Sequence, residues 1–218
     1  DDDFTLAGGK KVRVPMMRHG GMKAARYAAF KGDGTFFNTP ARVARGETDT
    51  NLYPDRRGFT LLELPYKGDE LSMVLLVPRD AGGLAALEKM LTPANLRGWV
   101  ARLQKREVHV FLPKFKLEAR YALEKSLQAL GMVRAFKDPR LADGAQFDGM
   151  SASRDPNQKL FVSKVLHKAF VEVSEKGTEA AAATAVMMVV PTSARLDMPF
   201  TPTFKADRPF VFLIRDRK

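Results

Sequence analysis

The sequence predicts an α+β fold built on large mixed or antiparallel sheets. Three observations predict it: strand-period runs open the chain, two amphipathic helical stretches sit near its middle, and strand-period runs return toward its end. No internal repeat interrupts that order. At 218 residues the chain can bury a sizeable core, and 45% hydrophobic with 28% charged residues is the balance of a globular protein, not of a disordered one.

Lys10 to Met17 (KKVRVPMM) alternates basic and apolar residues, the period of a half-buried strand. Residues 20–58 mix Gly, Pro, Thr, Asp and Arg with scattered aromatics and poor alternation, so they read as an extended hairpin region or a long surface insertion. Phe59 to Tyr66 (FTLLELPY) and Leu71 to Pro78 (LSMVLLVP) are two strands whose near-continuous hydrophobicity predicts burial on both faces. Lys67-Gly68-Asp69-Glu70 turns the chain between them. A helix over Leu84 to Leu91 places Leu84, Leu87, Met90 and Leu91 on one face. Thr92-Pro93 then supplies an N-cap and a first-turn proline for a helix to Gln104, with Leu96, Trp99, Val100 and Leu103 as its apolar stripe. Val108 to Leu112 returns to strand period, and Pro113 to Glu118 continues extended. Tyr121 to Met132 reads as an amphipathic helix closed by Gly131, residues 137–158 as loop, and Leu160 to Ser174 as one long strand. Phe200 to Lys205 and Phe210 to Ile214 are strand-like.

Several function classes fall away. No apolar run approaches the roughly 20 residues that cross a bilayer, so no membrane role is expected. The chain has no cysteine, which excludes disulfides, thiolate catalysis and cysteine-bound zinc. Its three histidines, His19, His109 and His167, lie far apart and match no metal-binding spacing, so no metal and no cofactor is expected. No GxSxG elbow or SxxK motif supports a hydrolase nucleophile, and the chain reads as no enzyme, with no catalytic residues. The net charge of +11 allows a weak polyanion partner, but the clusters Arg102 to Arg106 and Arg215 to Lys218 are short and read first as solvated surface.

The informative stretch is Glu175 to Val186 (EKGTEAAAATAV). Four alanines behind Thr178 and Glu179 have helix propensity, yet a strand runs into Gly177 from one side and a β-prone run, Val186 to Val190, follows on the other. Such a segment is a candidate for switching between conformations. Together with Val165 to Val173 it resembles the fifth strand of the main sheet and the reactive-loop hinge of the serpins, with a prokaryotic-like cast. LELPYKG, LSMVLLVP, LPKFKLE, LGM with Ala135-Phe136, and RPFVFLIRD follow in that family's order. The resemblance implies a partial serpin domain over residues 1–218, lacking the N-terminal helices and the final strand, with hinge and reactive-centre loop at 175–199.

It further implies a serine protease inhibitor, extracellular and monomeric, whose loop a target serine protease cleaves and which then inserts that loop into its central sheet. The alternatives are a non-inhibitory carrier, chaperone or storage-type member, or an inhibitor of cysteine proteases. By resemblance the hinge is Glu175, Gly177, Thr178, Glu179, Ala180, Ala181, Ala182, Ala183 and Thr184. Family spacing puts the reactive bond at Pro191 and Thr192, with Val190 and Arg195 as alternatives. Lys114 matches a partner of Glu175 in a salt bridge at the sheet top, and His167 matches a histidine buried where the strands part. The residues themselves add a test. An inserting strand buries alternate side chains, and Thr178, Ala180, Ala182, Thr184 and Val186 are all small or modest and uncharged, which favours the inhibitor.

Overall fold

The computed structural model describes residues 1–40, 42–43, 53, 55–150, 155, 158–174 and 198–217. The chain opens with a hairpin of β1 (Asp2–Thr5) and β2 (Lys11–Val14), closed through Gly9 at φ 82°. Asp3 pairs with Lys11 and Arg13 across it. The strand expected over Lys10 to Met17 is broken at Pro15, which has no N–H for a ladder; beyond it β3 (Met16–Met22) joins a different sheet.

Of the two readings for residues 20–58, the described strands fit an extended hairpin region. Arg26–Phe30 forms β4, whose Tyr27, Ala28, Ala29 and Phe30 are all buried, and β5 (Phe36–Phe37) pairs back on it as a hairpin. Small alanines in the middle of a five-residue strand leave little hydrophobic signal, although their size is what lets neighbours approach. β6 (Arg42–Val43) follows.

The two apolar runs are strands β7 (Phe59–Pro65) and β8 (Leu71–Pro78), buried on both faces as expected. Their turn uses Gly68 at φ 90° and Asp69 at φ 57°. The main sheet runs β15-β8-β7-β4-β5, with β15 being Val211–Asp216 and every pairing antiparallel; β9 (Gln104–Lys105) also pairs β4. Helices α1 (Leu84–Met90) and α2 (Pro93–Ala101) cover one face of it. Thr92 caps α2, its hydroxyl accepting from the Asn95 N–H at 3.2 Å. Leu87, Trp99 and Leu103 pack with Phe30, Phe59, Leu61, Val74 and Leu76 into the core, where Phe30 and Phe59 stack at 4.9 Å and Trp99 meets Phe59 edge-on at 4.8 Å. Gln104, which sequence assigned to α2, belongs instead to β9.

A three-stranded sheet places β10 (Val108–Pro113) between β3, antiparallel, and β14 (Thr203–Lys205), parallel. β13 (Met198–Pro199) pairs with β6. These elements belong to one unit, Asp1–Phe115 with Val173–Lys218; Lys116–Glu172 forms a second.

In the second unit β11 (Phe115–Ala122) pairs with β12 (Leu166–Val173) as a two-stranded sheet. The helix expected from Tyr121 starts later, as α3 (Glu124–Ala129), because Tyr121 and Ala122 complete β11. Gly131, at φ 101°, ends it in a Schellman arrangement: Met132 N–H bonds the Leu127 carbonyl and Gly131 N–H the Gln128 carbonyl. The strand expected from Leu160 begins only at Leu166. Before it, the Val162 N–H bonds the Ala135 carbonyl and the Val165 N–H the Glu124 carboxylate, which takes these residues out of any ladder.

Candidate functional site

The alternation of Leu166 to Val173 makes β12 a strand, and it delivers the chain to Ser174, immediately ahead of the expected hinge. The expected hinge residues Glu175, Gly177, Thr178, Glu179, Ala180, Ala181, Ala182, Ala183 and Thr184 lie outside the described residues, as do the reactive-bond candidates Val190, Pro191, Thr192 and Arg195. What the structure describes is the two feet of that segment and the strand beside which it would act. Among the described residues β12 has one strand partner, β11, and its other edge is unpaired.

That ribbon carries large apolar side chains in solvent: Leu166 is 76% and Phe170 65% exposed. A lone two-stranded sheet is marginal in water, so this one is held mainly by cross-strand contacts. Glu118 pairs with Lys168 at 3.1 Å, and the Lys116 ammonium lies over the Phe170 ring. His167 is exposed here, not buried as the resemblance implied; its ring stacks on Tyr121 at 6.3 Å, and among the described residues β12 has one neighbouring strand and no layer closes over it. Lys114 is exposed between β10 and β11, its backbone N–H bonded to the Pro15 carbonyl; the expected partner Glu175 is outside the described residues.

The far foot is fixed by Met198–Pro199 pairing with Arg42–Val43, and by a side chain that sequence reading missed. Arg106 donates to the carbonyls of Thr39 at 3.1 Å, Pro40 at 2.7 Å and Phe200 at 3.3 Å, and its guanidinium faces the Phe200 ring. It is half-buried and clamps two strand ends together, a role unlike the solvated surface assigned to Arg102–Arg106. Nothing local in LQKREV distinguishes it from its basic neighbours.

The other basic cluster is corrected too. Glu63, 1% exposed in the middle of β7, accepts from Arg26 on β4 at 2.6 Å and from Ser72 on β8 at 2.8 Å. Arg215 on β15 and Arg217 lie 3.2 and 3.8 Å away. One carboxylate thus ties four adjacent strands. Burial pushes its pKa up, but the Ser72 and Arg26 bonds and the Arg26 and Arg215 charges outweigh this and hold it below the ordinary value. A lone charge inside LLELP was the available signal; its partners were not readable.

Among the described residues no cluster of three or more His, Asp or Glu could hold a metal, and no helix is long and apolar enough to cross a membrane.

The serpin (serine protease inhibitor) family model matches residues 1–218. Serpin B8 of Homo sapiens is 46% identical over 168 residues, covering 76% of this chain and 41% of that protein. Leukocyte elastase inhibitor A of Rattus norvegicus is 45% identical over 165 residues, covering 71% of this chain and 39% of that protein. Native protease nexin-1, crystallised with heparin, superposes with a TM-score of 0.58 at 26% identity, over 99% of this chain and 47% of that one. The chain spans less than half the length of these relatives. Its mixed sheets, its β12 edge and the family match over every residue lead to one conclusion: this chain belongs to the serpin family.

Proposed function

We propose that the protein containing this chain inhibits serine endopeptidases as a suicide substrate, its cut loop adding as a strand beside β12. The observation that supports this reading is the edge of β12, unpaired among the described residues, at the point where the expected hinge begins. A protease serine attacks the carbonyl at the scissile bond and becomes esterified to it, and the new amine end departs. The freed loop then exchanges solvent for β-ladder partners along that edge, moving the ester-linked enzyme with it. Gly177 to Pro191 is fourteen steps, about 45 Å when extended.

The reactive bond is proposed at Pro191-Thr192, with Val190 or Arg195 as alternative cleavage side chains. Relatives named as elastase inhibitors support a small apolar preference of the Val190 type. Incubating the longer protein with elastase-like, trypsin-like and subtilisin-like enzymes tests the reading. The expected result is an SDS-stable complex and a first cut between Met188 and Arg195. Release of processed loop alone, with no gain in thermal resistance, refutes it.

A polyanion is proposed as a second, weak partner. Support comes from the exposed Arg97, Arg102 and Lys105 on and after α2 and from a structural neighbour crystallised with heparin. Elution from a heparin column no later than a charge-matched control dismisses it. We place the work of the protein outside the cell, as a monomer, by family likeness; its recovery from culture medium and its sedimentation check both points.

A further inference from the structure

The far foot of the expected reactive loop is tied down repeatedly between Met198 and Ala206. Met198 and Pro199 pair with Val43 and Arg42, as β13 on β6. At the next residue the Phe200 carbonyl accepts from Arg106, which also donates to the Thr39 and Pro40 carbonyls. Further on, the Pro202 carbonyl accepts from the His109 N–H at 2.9 Å, β14 runs beside β10, and the Ala206 N–H bonds the Phe111 carbonyl.

Arg106 joins this foot to the main sheet. Its backbone N–H bonds the Ala25 carbonyl at 3.2 Å, and the preceding Gln104 and Lys105 pair with Tyr27 and Arg26 on β4. On the other side, the buried Thr39 hydroxyl lies 3.0 Å from the Tyr53 hydroxyl, which accepts from Tyr27 at 3.3 Å. One guanidinium, with its fork of donors spread over carbonyls of two chain segments, therefore fixes Phe200 to a support that is itself anchored on β4.

That fixed point sets how much chain is free beside each candidate bond. A serine endopeptidase takes its substrate as an extended strand, and about three residues beyond the cut bond enter its cleft. For cleavage after Val190 or Pro191 those residues end at Ser193 or Ala194, ahead of Met198. After Arg195 they are Leu196, Asp197 and Met198, and Met198 already has β6 for a partner. Arg195 stands at most about 10 Å from Met198 along an extended chain. An enzyme seated there has to strip β13 from β6 and Phe200 from Arg106.

We propose that Arg106 is a specificity-determining positioning residue: by pinning Phe200 it keeps β13 on β6 and withholds the Arg195–Leu196 bond from trypsin-like endopeptidases, leaving cleavage to the stretch from Val190 to Thr192. This deepens the inhibitor reading and rests on its placing of the reactive bond ahead of Met198, but not on loop insertion.

Bond-by-bond mass spectrometry of the longer protein during brief exposure to catalytic amounts of trypsin tests it, with released product and any SDS-stable complex counted together. Cleavage of Arg195–Leu196 should be at least ~10-fold faster in R106A than in wild type, because the cut requires an opening that the guanidinium opposes. R97A, an exposed control on α2, should stay within ~2-fold of wild type. Cutting at other Lys and Arg bonds should not accelerate; equal acceleration at all of them marks general loosening and counts against a positioning role. Inserting Gly-Gly-Ser-Gly between Asp197 and Met198 lengthens the free arm and leaves the clamp intact, so it should open the bond as well, and it decides alone should R106A not fold. A wild-type first cut after Arg195, or no acceleration in the insertion variant or in a folded R106A, overturns the proposal and leaves the inhibitor reading standing. Absence of any complex with elastase-like enzymes sinks that reading and leaves these relative rates unaltered.

Discussion

Replacing Glu63 by Gln tests whether the buried ion cluster organises the main sheet. The change keeps the shape and leaves an oxygen to accept from Ser72, but it removes the negative charge opposite three arginines. Breaking a buried pair from one side costs about 3–5 kcal/mol, because the surviving charge stays desolvated. Here Arg26 is 31%, Arg215 36% and Arg217 28% exposed, so water partly screens them and the low end, about 3 kcal/mol, applies. In a chain of this size that corresponds to a fall in Tm of roughly 6–12 °C. Trp99, the single tryptophan, packs in the core of this sheet, so its fluorescence reports this unit's unfolding. A double-mutant cycle with R26M should show coupling of at least ~1 kcal/mol. The pH dependence follows from the sign of the shift. The folded pKa of Glu63 is lowered, so its contribution is fully present above the ordinary Glu value, about 4.3, and is lost as pH falls below it toward the folded value. E63Q should lack that acid-sensitive component. A loss under ~1 kcal/mol, no coupling to Arg26, or an unchanged acid profile refutes the argument.

Other substitutions probe different links. L76A, at a fully buried site against the aromatic cluster, should cost about 3 kcal/mol in urea unfolding. G58A should destabilise by ~2 kcal/mol or more, since a Cβ there would come 2.4 Å from the Phe30 carbonyl oxygen, whereas G98A, in open space within α2, should stabilise by ~0.5–1 kcal/mol. Equal signs for these two glycines in thermal melts would contradict the fold. In the longer protein, T184R would put an unpaired charge at an inward position of the strand proposed to insert; the yield of SDS-stable complex should drop at least ~10-fold while cleavage continues, and an unchanged yield counts against insertion.

The fold was legible where burial was uniform. FTLLELP and LSMVLLVP announced β7 and β8 because both faces of each are covered. RYAAF did not announce β4, since two alanines contribute little hydrophobic contrast and the strand lies between turn-rich segments. Helix and strand ends shifted by two to six residues wherever a backbone group found a nonlocal partner, as at Val162 and Val165. The charged supports were the least readable. Arg106, Arg215 and Arg217 look like surface residues in sequence, and only distant partners, Phe200 and Glu63, give them structural work. The loop's candidate residues were legible as a pattern of small side chains, a property of sequence alone.

That pattern bears on what could drive insertion beside β12. The alternate residues Thr178, Ala180, Ala182, Thr184 and Val186 offer little apolar area, so side-chain burial supplies only a small part of the gain. The larger part must come from the ladder. A middle strand bonds on both edges, and at ~0.5–1.5 kcal/mol net per hydrogen bond a segment of about fourteen residues gains on the order of 10 kcal/mol. The rival conformation is weak, because a helix of two turns in water is marginal even with four alanines. Under the proposed mechanism a drive that resides in the backbone tolerates alanine at every inward position and fails on one buried charge, which is why a single arginine at Thr184 should separate an inhibitor from a mere substrate.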